Sequence, residues 1–259
     1  MSYATEKIQV RRGRTTLAEG SLVHPIPVGQ GPKNAYLCPL EKPTTMPTNN
    51  VDAPTLLIFD LDGTLYRTET SFAPAVAQIL RTFSLPVPPD EALYAFIGEP
   101  FDVFVEWLER LTHPANRDKL CEMFTEAELR FVRDCGALYP GVRDTLARLR
   151  DRGCRLTLCT NAGALYAKTV LSACGIENLF RTIRYRRTND GTKSEMVAEL
   201  TKQTAYSRAF VIGDRYHDLL AGRRAGCTVI GAGYGYARPG ELAAADHLIS
   251  SFAELLPLV

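Results

Sequence analysis

Short apolar runs recur from residue 55 onward, and segments with a helical pattern separate them. The runs cover residues 55–60, 155–160, 182–185, 209–214 and 228–233, with 246–250 as a candidate edge strand. Each run is apolar on both faces and short, which is typical of strands in a parallel sheet covered by helices on both sides. The alternation therefore predicts an α/β fold, a doubly wound parallel sheet with right-handed crossovers.

The segments between these runs carry helix start and stop signals. Segments 141–153 and 164–175 each end at a glycine, which commonly follows a helix. Segment 192–203 opens with Thr192 and has Glu195 three residues later, which is the pattern of a capping box. These signals support the predicted order of alternating strands and helices.

The alternation is interrupted between residues 65 and 139, where no convincing strand pattern occurs. Amphipathic helical stretches fill this interval, so we predict an inserted all-helical cap over residues 67–138. Ligands bind at the carboxyl ends of the strands in such sheets, so an insertion after the first strand would cover the site as a lid. The predicted core then comprises residues 55–66 and 139–259.

Residues 1–54 differ from the rest of the chain, because they are rich in Pro, Thr and Asn and contain only short apolar pieces. This composition predicts an irregular N-terminal extension. A tail that packs on the body of the protein is the alternative.

Net charge, the length of the apolar runs and the cysteine count narrow the class of protein. A net charge of +1 over 259 residues gives no electrostatic reason to expect a nucleic acid or an anionic membrane as partner. No run approaches the roughly 18–20 apolar residues that span a bilayer, and no apolar block follows the N-terminal charges, so we expect no secretory signal. Seven cysteines without a CxxC pair argue against a zinc site or a disulfide framework and favour the cytoplasm. The sequence leaves open whether the protein is a monomer or a homodimer.

Two aspartates follow the first apolar run in the order Asp60-Leu61-Asp62-Gly63-Thr64. Side chains two residues apart in an extended segment point to the same side, so the two carboxylates repel one another. A bound cation between them would remove this repulsion. Gly63 allows the chain to turn and its N–H groups to face the crevice.

Further polar residues lie at other strand ends or helix starts. Thr160 and Asn161 follow the second run, and Asp214 ends the fourth, with Asp218 four residues later. Lys193 lies in the first turn of a predicted helix, where the macrodipole disfavours a cation unless an anion is nearby. Carboxylates suit Mg²⁺, and a lysine with a hydroxyl suits phosphate, so these residues together predict a Mg²⁺–phosphate site.

The same residues resemble the motifs of the haloacid dehalogenase-like (HAD) hydrolase superfamily. The four motifs appear in order as DLDGT at 60–64, Thr160, Lys193 and GDRYHD at 213–218, and the resemblance covers roughly residues 55–256. The helical insertion resembles the C1 class of cap. Three further segments are similar to phosphoglycolate-phosphatase-like members: residues 96–101, 139–146 and 233–255.

The resemblance implies roles for the first two aspartates. Asp60 would be the nucleophile and a Mg²⁺ ligand. Asp62 would be the general acid and base and would bind Mg²⁺ through its backbone carbonyl. True dehalogenases of this superfamily lack the second aspartate, so Asp62 argues against dehalogenation.

The resemblance also implies roles for the remaining motif residues. Thr160 would bind the phosphate with help from the Asn161 backbone, and Lys193 would neutralise the nucleophile and the phosphate. Asp214 would bind Mg²⁺ directly, and Asp218 would orient the groups around the metal.

These observations predict a Mg²⁺-dependent phosphatase that hydrolyses a small phosphorylated metabolite through an aspartyl-phosphate on Asp60. Two alternatives remain open. One is a phosphomutase of the beta-phosphoglucomutase type, which residues 66–70 and 98–101 of the cap would decide. The other is a non-catalytic protein that binds a phosphate ligand with the same fold.

Overall fold

The structure is a computed structural model that describes residues 53–98, 101–112, 116–187 and 191–259. The predicted N-terminal extension over residues 1–54 lies outside the described residues, except for its last two positions. The division into core and cap at residues 66/67 and 138/139 stays a prediction.

Six parallel strands form one sheet at the centre of the molecule. The strands are β1 (Leu56–Phe59), β2 (Arg155–Gly163), β3 (Thr182–Arg186), β4 (Ala209–Gly213), β5 (Thr228–Ala232) and β6 (His247–Ile249). Their spatial order is β3-β2-β1-β4-β5-β6, with β1 hydrogen-bonded between β2 and β4. The order reverses beside β1, so the predicted doubly wound parallel sheet is confirmed, including the edge strand β6.

Nine α-helices lie in the described ranges. They are α1 (Glu69–Thr82), α2 (Asp90–Tyr94), α3 (Phe101–Leu111), α4 (Arg117–Cys135), α5 (Val142–Asp151), α6 (Ala164–Ala173), α7 (Lys193–Gln203), α8 (Tyr216–Arg224) and α9 (Leu255–Leu258). Helices α1 to α4 all fall between β1 and β2, so the inserted cap is helical, as predicted.

The two faces of the sheet bury different residues, which explains why β1 is apolar at each of its four positions. Leu57 and Phe59 of β1 belong to one buried cluster, while Leu56 and Ile58 belong to another. Full burial of a side chain of this size contributes roughly 1.5–3 kcal/mol. The apolar interior ends at Phe59, so the next residue, Asp60, begins the polar edge of the sheet.

The cap has an aromatic core of its own. The ring centroid of Phe104 lies 4.8 Å from that of Phe124 and 5.0 Å from that of Phe72. Trp107 is also buried in this cluster, with its ring 5.0 Å from Phe96. The cap therefore holds itself together and can present one surface to the core.

Two chain segments connect the core to the cap, and they run side by side. The Arg67 N–H donates to the Ala137 carbonyl at 2.9 Å, and the Tyr139 N–H donates to the Leu65 carbonyl at 3.0 Å. These hydrogen bonds fix where the cap leaves and rejoins the core.

Among the helices of the described ranges, none combines the length and apolar character that crossing a bilayer requires.

Candidate active site

Three aspartates meet at the carboxyl edge of the sheet. Strands β1 and β4 are neighbours in register, so Asp60 and Asp214 follow them side by side, and the Asp60 N–H donates to the Ile212 carbonyl at 2.9 Å. Asp218 reaches the same place from the first turn of α8. One carboxylate oxygen from each of Asp60, Asp214 and Asp218 lies within 4.8 Å of the others.

Lys193 is the buried cation of this cluster. Its Nζ lies 2.5 Å from Asp60 Oδ1 and 2.5 Å from Asp218 Oδ1. The predicted capping box fixes the start of α7, since the Thr192 N–H donates to the Glu195 side chain and the Glu195 N–H donates to the Thr192 hydroxyl. Burial lowers the pKa of the Lys193 ammonium, but Asp218 and Asp60 outweigh burial and raise the pKa above its ordinary value.

One ammonium does not offset three buried acids. Burial raises the pKa of Asp60 well above its usual range, against the opposing effect of Lys193. Burial, followed by the charge of Asp218, raises the pKa of Asp214 to about 7. Buried carboxylates that share too little positive charge are a donor set that a hard divalent cation fits.

Asp214 is held by Thr64 of the first motif and by Tyr236, which belongs to none of the four motifs. The Thr64 hydroxyl donates to its Oδ1 at 3.2 Å, and the Tyr236 N–H donates to its Oδ2 at 2.8 Å. Gly63 has φ +74°, and a Cβ added there would lie 2.2 Å from Asp214 Oδ2. The turn after β1 therefore needs glycine both for its conformation and for its close approach to the acid.

Asp62 lies apart from the three-acid cluster. Its Oδ1 accepts hydrogen bonds from the Thr68 hydroxyl at 2.7 Å and from the Tyr166 hydroxyl at 2.8 Å. Burial raises the pKa of Asp62, although both hydrogen bonds act in the opposite direction. Two hydroxyls thus fix the orientation of this carboxyl group, one from each side of the junction between cap and core.

Thr160 and Asn161 lie on β2, at the same edge of the sheet, and their side chains accept hydrogen bonds from Ala162 and Arg186. The Thr160 hydroxyl is buried and accepts a hydrogen bond from the Ala162 N–H at 3.0 Å. The exposed Asn161 accepts one from Arg186 at 2.9 Å. Strand β2 extends to Gly163, beyond the predicted end at residue 160, and its register with β3 shifts after Thr160.

Two side-chain contacts connect the residues around the acids to the cap. The Tyr236 hydroxyl accepts a hydrogen bond from the Glu69 N–H at 3.0 Å and donates to the Glu69 carboxylate. Arg215 donates to the Ile97 carbonyl, and its Nε donates to Glu241 Oε1 at 3.0 Å. Tyr236 also holds Asp214 through its N–H, so the acid cluster and the cap share these anchoring residues.

Thr68, Tyr166 and Tyr236 are site residues that the sequence motifs do not reveal. None of them belongs to one of the four motifs, and each reaches the site through tertiary packing. Thr68 and Tyr236 lie in the wider segments 66–70 and 233–255 that the sequence analysis named, but nothing there assigned a contact to either residue.

Comparisons with known proteins agree with this geometry. The family model described as haloacid dehalogenase-like hydrolase matches residues 57–232. A phosphoglycolate phosphatase from Mannheimia succiniciproducens is 29% identical over 218 residues, which are 79% of this chain and 97% of the relative. A phosphoglycolate phosphatase from Yersinia pestis is 31% identical over 221 residues, which are 78% of this chain and 91% of the relative.

Solved structures show the same fold. The crystal structure of a predicted phosphoglycolate phosphatase from Haemophilus somnus 129pt has a TM-score of 0.72 at 24% identity and covers 78% of this chain and 96% of its own. A Thermotoga maritima structure assigned as a beta-phosphoglucomutase has a TM-score of 0.67 at 20% identity and covers 79% and 97%. The matched motifs, sheet and cap establish that the chain is an enzyme and belongs to the family of haloacid dehalogenase-like hydrolases.

Proposed function

We propose that this haloacid dehalogenase-like phosphatase depends on Mg²⁺ and hydrolyses small phosphomonoesters through a phosphorylated Asp60. The observation that supports this most directly is the position of Asp60. It follows the central strand, lies 2.5 Å from the Lys193 ammonium, and shares its surroundings with Asp214 and Asp218.

The donor set around Asp60 suits the metal. Asp60, Asp214 and the Asp62 carbonyl would hold it, and Asp218 would orient the surrounding groups. When bound, Mg²⁺ supplies positive charge that offsets the charge of the phosphate oxygens. Lys193, the first residue of α7, contributes further positive charge.

The first half-reaction transfers the phosphoryl group to the enzyme. A carboxylate oxygen of Asp60 forms a bond to phosphorus, and the bond from phosphorus to the ester oxygen breaks. Asp62 gives its proton to the departing oxygen, which leaves as an alcohol. The Thr160 hydroxyl and the Asn161 N–H bind phosphate oxygens during this transfer.

The second half-reaction restores the enzyme. Asp62, now a carboxylate, takes a proton from water while the water oxygen attacks phosphorus. The bond between phosphorus and Asp60 then breaks, which releases inorganic phosphate and regenerates the carboxylate. Thr68 and Tyr166 hold the Asp62 carboxyl group in one orientation through both steps.

The test measures phosphate release from a panel of small phosphomonoesters, with Mg²⁺ and with EDTA. We expect activity with Mg²⁺ only, and Asp60→Asn should lower kcat by at least about 1,000-fold because it removes the nucleophile. Asp144→Asn, at an exposed position on α5, is the matched control. Mg²⁺-independent activity, or an active Asp60→Asn variant, would contradict the proposal.

A second measurement addresses the two alternatives. Acid quenching with a ³²P-labelled ester should trap a hydroxylamine-sensitive acyl phosphate on the parent protein and none on Asp60→Asn. A phosphomutase would need a sugar bisphosphate and would return the label to a sugar. A protein that only binds phosphate ligands would release and trap no label.

A further inference from the structure

Glu128 is a half-buried acid in the cap with no role in the chemistry above. It lies on α4, and its carboxylate makes no hydrogen bond or ion pair with any residue in the part of the chain that the structure describes. Half-burying a carboxylate without a partner is unfavourable, so its position calls for an explanation.

The helical position of Glu128 places it at the junction of cap and core. Phe124, one turn before it, belongs to the aromatic core of the cap. Val132, one turn after it, belongs to the core cluster that also contains Tyr66. Helix α4 packs against α6, the helix that carries Tyr166, and the rings of Tyr166 and Tyr66 are 6.5 Å apart.

Charge connects Glu128 to the general acid. Burial, and then the charge of Asp62, raises the pKa of Glu128 well above its usual range. Burial, Asp62 and Glu128 together raise the pKa of the Tyr166 hydroxyl. Tyr166 in turn donates to Asp62 at 2.8 Å. Glu128, Tyr166 and Asp62 therefore form one cluster of interacting groups where α4 packs against α6.

The departing alcohol must lie beside this cluster if Asp62 protonates it. A cation or a hydrogen-bond donor on the leaving group would stabilise the carboxylate form of this second buried acid, whereas an anion there would oppose its ionisation. Phosphoglycolate, the ester in the names of several relatives, has a carboxylate on its leaving group. That carboxylate would add a third acid, and no positive charge, to the cluster of Glu128 and Asp62.

We propose that Glu128 determines substrate specificity by selecting phosphomonoesters whose leaving group carries an ammonium or hydroxyl group near the ester oxygen. This inference rests on the proposed phosphatase function and adds the chemical class of its substrate.

Two-carbon esters that differ only in the distal group provide the test. These are phosphoethanolamine, 2-hydroxyethyl phosphate, ethyl phosphate and phosphoglycolate. We expect the parent protein to show kcat/KM for phosphoethanolamine or 2-hydroxyethyl phosphate at least about tenfold above that for phosphoglycolate, which corresponds to about 1.4 kcal/mol. Glu128→Gln should reduce the ratio of phosphoethanolamine to phosphoglycolate turnover by about tenfold, and Glu128→Lys should reverse the preference.

Glu126→Gln, at an exposed position on the same helix, is the matched control and should leave every ratio unchanged. Equal melting temperatures of the variants would exclude loss of folding as the cause. A parent protein that prefers phosphoglycolate, or ratios that do not change in Glu128→Gln and Glu128→Lys, would overturn the inference while leaving the phosphatase proposal intact. Failure of the parent to hydrolyse any ester would overturn both.

Discussion

Lys193 is the residue on which the electrostatics of the site depend. It occupies the first turn of α7, against the helix macrodipole, and is stabilised there by Asp60 and Asp218 at 2.5 Å each. Removing one partner from a buried ionic group leaves the others uncompensated, which costs more than the pair itself contributes.

Lys193→Met should therefore lower both activity and stability. We expect a loss of about 3 kcal/mol in the free energy of unfolding in EDTA at neutral pH and no measurable phosphatase activity. Denaturant unfolding and phosphate release measure the two effects. Adding Asp218→Asn should recover part of the stability but no activity. Lys202→Met, at an exposed position on the same helix, should change neither.

A substitution at Gly63 provides a second test at the level of single residues. An alanine there must adopt φ +74° and bring its Cβ against Asp214, whereas Gly153 has φ +84° with nothing within 4 Å of an added Cβ. Both Gly→Ala changes should cost about 1 kcal/mol or more through backbone strain, but only Gly63→Ala should also weaken Mg²⁺ binding and activity. Equal losses of activity in the two variants would contradict the importance of the close approach to Asp214.

The motif residues could be predicted from the sequence, because their types and order carry the chemistry. Asp60 and Asp214 end parallel strands and Lys193 begins a helix, so their places in the chain alone assign all three to one edge of the sheet. Tyr166 and Glu128 could not be predicted, since an ordinary helical tyrosine or glutamate becomes significant only when α6 and α4 pack together.

At the scale of elements, the cap is held over the core by contacts from two loops. Tyr236, after β5, connects Asp214 to the start of α1, and Arg215, after β4, reaches the Ile97 carbonyl. The interruption of strand and helix alternation predicted the cap. The anchoring contacts were not predictable, because they join residues more than 100 positions apart.

Tyr236→Phe should loosen the cap and leave the acid cluster in place, because the backbone N–H that holds Asp214 remains. Loss of the hydroxyl contacts with Glu69 should raise KM by about three- to tenfold, as expected for a hydrogen bond of about 1 kcal/mol. Hydrogen exchange at the start of α1 should become faster. Tyr94→Phe, which removes an exposed hydroxyl within the cap, is the control. An unchanged KM and unchanged exchange in Tyr236→Phe would show that this contact does not hold the cap.

The described part of the molecule consists of a core and a cap, each with an apolar interior, and a polar junction lies between them. The sheet buries residues on both faces, and the cap buries its own aromatic cluster. The acids lie where these apolar interiors end, which is why burial raises their pKa values. The free energy of unfolding and the affinity for the metal should therefore both depend on pH, because protons and the cation compete for the same carboxylate oxygens.

The stabilisation by Mg²⁺ should increase as pH rises. The pKa of Asp214 in the folded protein is about 7 and that of Asp60 is also raised, so at about pH 6 protons occupy the oxygens that a cation needs. Without metal, the raised pKa values favour the folded state at low pH, and this contribution is lost as pH rises through about 7. Mg²⁺ should then restore the lost stability, because it binds the deprotonated folded state.

Thermal unfolding with and without Mg²⁺ between about pH 6 and pH 8 measures this coupling. The rise in Tm caused by the metal should be smallest at the acid end and largest at the alkaline end. Asp214→Asn should reduce the rise at every pH, because it removes a donor whose proton competes with the metal. Asp144→Asn, at an exposed position, should behave like the parent. A rise in Tm that is independent of pH, or one that persists in full in Asp214→Asn, would mean that these buried aspartates do not bind the cation.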